Sequence, residues 1–355
     1  MKGIKTFFRI LRRAKWFFVI GFILLLAKLI SPYVADAKQL WTTIRTDPKK
    51  LISDYKSNSA EENVSPTDLL PDDWVSPEPE KPDPSESSPG QLPVHPSEIA
   101  EDAPILTVSF IDVGQGDSVL LQLDGKAILV DGGNRDKGTL VQKFLLDSGV
   151  EKLDAVISTH GDADHCSGLR VICQKFPVDA FYMSYLDHDT NTYQELKRIV
   201  SDKMIPTVTP LAGDTMEFGP ALITFVSPVE GETESNAASI AFILEYGSCR
   251  YLFCGDAEDL TVDGIYTDVL MAPHHGSYSG NDIEKNISYG NIVISASGID
   301  YGHPHQSTMQ LIEMTHANLY RTDKQGSIIS HCDGQSVWFD QPPCTDFSPG
   351  LDLED

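Results

Sequence analysis

From Ile105 onward the chain is a series of short apolar runs cut by glycine- and aspartate-rich turns. ILTVSFIDV, SVLLQL and KAILVDGG are rich in β-branched and aliphatic residues and are separated by GQGD and DG, so they predict three successive strands. TLVQKFLLDSG repeats its apolar positions at helical spacing, with Thr139 placed to cap it and Gly149 to stop it. LDAVISTH then predicts a strand and DHCSGLRVICQKF a helix. AFYMSYL reads as strand, TYQELKRIVSDK as helix and PTVTPLAG as strand. LITFVSP, SIAFILEYG, RYLFCGDA, DVLMAPHHG and NIVISASG are all strands or strand ends. STMQLIEMTHA is helical, and LYRTD, GSIIS and SVWF finish the pattern as strands. A meander followed by strands mixed with helices predicts an α+β fold, two packed sheets with helices outside.

The region before Ile105 follows different rules. Lys2, Lys5, Arg9, Arg12, Arg13 and Lys15 precede the run WFFVIGFILLLA, Trp16 to Ala27, a charge order that directs the following chain out of the cytoplasm. Two readings of residues 1–37 stand. One is a retained single-pass anchor, in which Lys28 snorkels and Leu29 and Ile30 extend the run. The other is a signal peptide cleaved after Ala37, since Ala35-Asp36-Ala37 has the small-x-small form. The domain outside would be membrane-held in the first case and secreted in the second. Residues 38–103 are rich in Pro, Ser, Glu and Asp and too poor in large apolar residues to build a core, so they predict an extended tether with one short helix over 38–56. Residues 104–342 form the predicted globular domain and 343–355 an acidic tail.

Charge narrows the functional classes. The 355-residue chain carries a formal net charge of -25, and residues 104–342 carry about −19 of it. Such a surface repels nucleic acid at long range, so any phosphate-directed function needs bound cations. No CxxC pair occurs among Cys166, Cys173, Cys249, Cys254, Cys332 and Cys344, which leaves a zinc ribbon unsupported. A Cys332–Cys344 clip on the last strand and six buried thiols are the two open alternatives.

Candidate chemistry collects at predicted strand ends. In STHGDADHCSG, His160, Asp162 and Asp164 alternate on an extended loop while His165 opens the next helix. Two imidazoles and two carboxylates at that spacing suit zinc, manganese or iron. A helix start with capping aspartates is the plainer alternative, and it leaves both histidines unexplained. Asp256 after RYLFC reads as a turn residue when taken alone. The plainer alternative for His274-His275 is a turn before Gly276, and for His303 and His305 a rigid GHPH turn with solvated histidines. Asp112 and Asp117 around GQG read as fixing a tight loop rather than binding metal. His95, His188, His316 and His331 read as ordinary surface or core histidines.

The segments FIDVGQGDSVLL, ILVDGGN, STHGDADHCSGL, NAAS at 236–239, EYGSCRYLFCGDAE, LMAPHHGS, YGHPH and LYRTDKQGSI occur in one order from about residue 105 to 340. In that order they resemble the metallo-β-lactamase superfamily, and within it the ComEC-type branch known from the periplasmic or extracellular domain of a DNA-uptake channel. The resemblance implies an αββα sandwich and two divalent metal ions, manganese or zinc. His160 and Asp162 would hold one ion, Asp164 and His165 the other, with Asp256 bridging and His275 completing the second site. Asp164, His274 and His303 would take direct part in catalysis. His274 would donate to a phosphate oxygen, with either member of the His274-His275 pair open as the ligand. His303 would line the cleft as acid or phosphate contact, ahead of His305. Asp131 would orient a ligating histidine.

The wider superfamily has histidine where this chain has Asp162, an aspartate that the ComEC-type branch shares. The added carboxylate shifts the expected metal towards manganese. The superfamily also places a histidine between the first cluster and the bridging aspartate, and here only His188 falls in that interval. The expected function is an exported, metal-dependent hydrolase of phosphodiester bonds, foremost a nuclease acting on DNA through a metal-activated hydroxide, with no nucleotide cofactor. A phosphodiesterase for a cell-envelope polymer or phosphocholine-like group is the second reading. A metal-stabilised DNA or protein binding module that does not cleave is the third.

Overall fold

The computed structural model of the protein describes residues 103–260, 262 and 264–351. The anchor or signal segment, nearly all of the tether and the last four residues lie outside the described residues. Among the described residues no helix is long and apolar enough to cross a membrane.

The strands form two mixed sheets. One has eight strands: β1 (Leu106–Phe110), β2 (Val119–Leu123), β3 (Lys126–Val130), β4 (Ala155–Ser158), β5 (Phe181–Met183), β6 (Thr207–Val208), β14 (Ile328–Cys332) and β15 (Val337–Phe339). Its order is β15-β14-β1-β2-β3-β4-β5-β6. The other has seven: β7 (Thr215–Phe218), β8 (Ala221–Ser227), β9 (Ala241–Tyr246), β10 (Cys249–Phe253), β11 (Tyr266–Met271), β12 (Ser288–Ile294) and β13 (Asn318–Arg321), ordered β13-β12-β11-β10-β9-β8-β7.

Alternation along each strand decides the layers. Leu106, Val108 and Phe110 of β1 meet Phe242, Leu244 and Tyr251 of the opposing sheet in one apolar cluster between the sheets. Leu120, Leu129 and Val156 point the other way, onto helices α1 (Gly138–Asp147), α3 (Leu169–Lys175) and α4 (Asn191–Asp202). Ala241, Ile243 and Leu252 point outward on the second sheet, onto α5 (Asn281–Asn286) and α6 (Gln306–Thr315). Period-2 side-chain placement thus makes three apolar layers, and the architecture is the αββα sandwich.

Several elements differ from the sequence reading. The helix expected over 164–176 is broken into α2 (Ala163–Cys166) and α3. The break lies at Ser167-Gly168, where Gly168 N–H donates 2.9 Å to Gly133 O. Helix α1 starts at Gly138 without a side-chain cap, so Thr139 lies inside it, and Gly149 ends it at φ 75. Strand β7 and helix α5 were not expected, because TMEF is mostly exposed and NDIEKN is too short to show a period. All six thiols are free, which sets aside the Cys332–Cys344 clip. Cys249 and Cys332 fill the layer between the sheets, Cys166 and Cys173 the first helical layer, and Cys254 the second.

One buried group stands out on the second helical layer. Glu284 of α5 is 1% exposed, and neither carboxylate oxygen finds a hydrogen-bond partner. Burial pushes its carboxyl well above the ordinary range. An acid raised on folding keeps its proton longer in the folded chain, so stability is highest at acid pH and falls as pH rises towards the raised value. Glu284→Gln is therefore expected to stabilise the domain at pH 8 by about 1–3 kcal/mol and to change little near pH 4. Urea unfolding at both pH values checks this; an equal effect at the two would rule out titration at Glu284.

Candidate metal centre

The site forms where strands of both sheets end together. β3 and β4 run parallel and deliver Asp131 and His160; β10, β11 and β12 run parallel and deliver Asp256, His274-His275 and Ser295. Open sheets gather ligands at such carboxyl ends. The GQGD turn after β1 closes over the centre. Gly116, at φ +117, leaves no room for a side chain, since a Cβ would lie 2.0 Å from Asp164 O. Asp117 N–H donates to that same carbonyl at 3.2 Å. On the other side Gly132 N–H donates 2.8 Å to His165 O.

Among the described residues, Asp117, His165, Asp256 and His275 form one buried group whose ligand atoms all lie within 4.8 Å of one another, enough to hold a metal ion. His165 Nε2 lies 3.1 Å from His275 Nε2 and 3.1 Å from Asp256 Oδ1. His275 Nε2 lies 3.5 Å from Asp256 Oδ1 and 3.4 Å from Asp164 Oδ2. Metal bonds of about 2.0–2.1 Å in a tetrahedron give ligand–ligand edges of about 3.3–3.4 Å, the spacing seen here.

The far nitrogens explain why a cation fits. His165 Nδ1 faces Asp131 Oδ2 at 3.0 Å, and His275 Nδ1 faces Ser295 O at 3.0 Å and Asp117 Oδ1 at 3.2 Å. Those acceptors place each ring proton on Nδ1, which leaves two Nε2 lone pairs facing one another. Lone pairs at that distance repel unless something positive sits beside them. His160 repeats the pattern: its Nδ1 meets Thr159 Oγ1 at 3.1 Å, and its buried Nε2 has no hydrogen-bond partner. Asp117 therefore differs in role from the rest of its group. It addresses the nitrogen of His275 turned away from the cluster, as Asp131 does for His165.

Charge distribution follows the same lines. Burial would raise the Asp256 carboxyl, but His165, His275 and His160 together hold it well below the usual range. Burial would likewise raise Asp164, and His275 and His165 reverse the effect. Burial works against charge on His275, yet Asp256 and Asp117 bring it up to about 10; Asp256 and Asp131 raise His165 well above its ordinary value against the same opposition. Protons and a divalent cation compete for those Nε2 lone pairs.

The other expected residues stand around this group. Asp256 Oδ2 faces His160 Nε2 at 3.6 Å and His274 Nε2 at 3.5 Å, and Asp162 Oδ2 lies 3.7 Å from His160 Nε2. His274 and His275 adopt left-handed backbone, φ 48 and φ 57, a conformation costing roughly 1–2 kcal/mol per residue, and Asp131 shares it at φ 53. The His303 ring lies 5.4 Å from that of His274 and 6.0 Å from that of His275. Burial first, then His275, His305 and His274, push it down to about 3, so it stays neutral. His305 stands behind it, its Nδ1 accepting from Tyr278 N–H at 3.0 Å.

Two residues set aside on sequence grounds belong to this neighbourhood. His188 Nδ1 is 3.8 Å from Asp162 Oδ1, and Ser235 Oγ lies 3.3 Å from both His188 Nε2 and Asp162 Oδ1. Its position after Asp187 in an irregular loop gave no periodic signal. Asp117 was readable only as a turn residue, since nothing local reveals the distant His275. Gln115, whose Nε2 lies 3.3 Å from His303 Nδ1, joins them. Asp131→Asn is expected to weaken metal affinity about 10–100-fold, measured by chelator competition; unchanged affinity would remove Asp131 from the orienting role.

The metallo-β-lactamase superfamily model matches residues 111–285, and fold and site together support a metal-dependent hydrolase domain of that kind. The relatives are more particular. ComE operon protein 3 of Bacillus subtilis (strain 168) is 26% identical over 250 residues, covering 62% of this chain and 32% of its own length. Competence protein ComA of Neisseria gonorrhoeae is 24% identical over 252 residues, covering 67% of this chain and 34% of its own length. The chain thus spans about a third of the length of these curated relatives. Among solved structures, the metallo-β-lactamase fold protein YhfI from Bacillus subtilis covers 66% of this chain with 99% of its own, at 15% identity and a TM-score of 0.41.

Proposed function

We propose that this domain hydrolyses phosphodiester bonds with two divalent ions, manganese or zinc, and that its substrate is DNA. The observation that carries the reading is the double-faced carboxylate of Asp256. Oδ1 addresses His165 and His275, while Oδ2 addresses His160 and His274. One anion with imidazoles on both oxygens suits two adjacent cations, with Asp164 joining His165 and His275 in one half and Asp162 joining His160 in the other. Bound ions would polarise the phosphoryl oxygen, supply a nucleophile at neutral pH and stabilise the leaving oxygen.

The chain's own residues do the rest. Asp131 and Asp117 hold the rings of His165 and His275 in the tautomer that presents Nε2. His274, 22% exposed at its side chain, reaches past Asp256 towards an incoming phosphate. Neutral His303, whose Nδ1 accepts from Gln115, carries its proton on Nε2 and would hydrogen-bond a phosphate or leaving oxygen without giving up that proton. No serine or cysteine nucleophile is required.

DNA is favoured among phosphodiesters by the competence relatives, matched over most of this domain. The N-terminal segment would hold the domain at the outer membrane–water boundary, or release it when cleaved after Ala37. The test is cleavage of end-labelled single- and double-stranded DNA by the purified chain, with manganese, zinc or chelator, beside Asp164→Ala. Metal-dependent cutting that the variant lacks is expected. Metal bound at full occupancy with no DNA cut would sink the nuclease reading and turn attention to cell-envelope phosphodiesters.

A further inference from the structure

Residues 343–351 follow the last strand as irregular chain, yet they are tied firmly. Cys344 N–H donates 2.6 Å to Leu319 O of β13. Arg321, the last residue of β13, is 0% exposed. Its Nε and Nη2 donate to the two carboxylate oxygens of Asp323 at 2.9 and 2.8 Å. Its Nη1 donates to the carbonyls of Asp346 and Ser348 at 3.0 and 2.5 Å. Past this clamp, Gly350 N–H donates 2.8 Å to Pro304 O and Leu351 N–H donates 2.7 Å to Gly298 O. The segment therefore joins β13 to both ends of the loop that carries His303.

Contact with that loop is close. A Cβ on Gly350 would stand 2.2 Å from His303 O and 2.8 Å from the Gly302 carbonyl carbon. His303 is thus backed through its main chain by Gly350, while its ring meets Gln115 and the rings of His274 and His275. A buried guanidinium is costly unless every donor is used. Here the Asp323 carboxylate takes Nε and Nη2, while Nη1 is spent on two main-chain carbonyls of a segment with no ladder of its own.

We propose that residues 343–351, clamped by Arg321, form a strap that sets the position of the His303 imidazole beside the metal centre, with Gly350 as the positioning residue. The inference rests on the function proposed above for its assignment of a role to His303. It is tested in the full chain with Gly350→Ala, which leaves Arg321, its acceptors and every metal-facing side chain in place. The first readout is the histidine side-chain NMR spectrum of the zinc-loaded protein. Resonances of His303 are expected to move while those of His165 and His275 stay. The second is hydrolysis of bis(p-nitrophenyl) phosphate with manganese: kcat falls about 10–100-fold, with KM and metal stoichiometry unchanged, and Gly350→Ala adds no loss in a His303→Ala background.

Ending the chain at Pro349 removes both strap contacts while keeping the clamp, and is expected to reproduce the His303 shift should Gly350→Ala fold poorly. Unmoved His303 resonances, or the same loss of kcat with and without His303, would overturn the strap. A wild-type chain inactive on the diester, with His303 moved by Gly350→Ala, would instead sink the phosphodiesterase reading and support the strap.

Discussion

Asp256→Ala is expected to lower kcat/KM for metal-dependent hydrolysis about 10³-fold and to cost at least one bound ion. Four imidazoles, those of His160, His165, His274 and His275, lie within 3.1–3.6 Å of its two oxygens. Losing one preorganised electrostatic group at a reacting centre lowers the rate about 10²–10³-fold, and here the ion that the group holds is lost with it. Asp256→Asn sharpens the result, because it keeps the shape and removes the charge. Both variants are expected to lose activity and metal together, followed by steady-state kinetics and by metal analysis of the dialysed protein. A variant that kept full metal content and lost only rate would place Asp256 in proton transfer instead. Full activity in both would remove it from the centre.

Stripping the metal is expected to lower the unfolding midpoint by about 10 °C as well as to abolish hydrolysis. A cation present at a thousand times its dissociation constant stabilises the folded state by about 4 kcal/mol, and each kcal/mol moves the midpoint of a domain this size by about 2–4 °C. The stripped protein should also acquire a distinctive pH response. His165 and His275 have folded values raised above the ordinary imidazole value, His275 to about 10. A raised histidine contributes stability that is complete below its unfolded value and lost as pH climbs through the folded one. Metal-free protein is therefore expected to weaken more steeply than metal-loaded protein from about pH 6.5 to about pH 10, the loss at Glu284 being common to both. Calorimetric scans with and without chelator across that range decide it. Coincident curves would show that no cation occupies the centre in solution.

Much of this was legible in the chain. The apolar layers follow from the alternation of Leu106, Val108 and Phe110 or of Phe242, Leu244 and Tyr246, a local property of each strand. The cluster His160, Asp162, Asp164 and His165 announces itself because its members are neighbours in sequence. What stayed hidden depends on tertiary contacts. Asp117 and His275 are far apart in the chain and meet only when both sheets close, and His188 reaches Asp162 from a loop without periodicity. The break between α2 and α3 comes from backbone bonds to the loop after β3, which no helical propensity records. The strap was invisible for the same reason: its acceptors are main-chain carbonyls, and any sequence supplies those.

The five buried thiols give the domain an internal gauge of its own opening. Cys249 and Cys332 sit between the sheets, Cys166 and Cys173 beneath one set of helices, and Cys254 beneath the other. Burial holds the thiols of Cys166 and Cys173 up at about 12 and raises Cys254 well above its usual range, so none of these three is a reactive thiolate in the closed fold. An alkylating reagent can then reach each of the five buried cysteines only when the layer that covers it comes apart, whereas the half-buried Cys344 needs no such opening. The sequence in which they are capped under native conditions would show which layer of the sandwich separates first, and whether a bound cation delays the layer it touches.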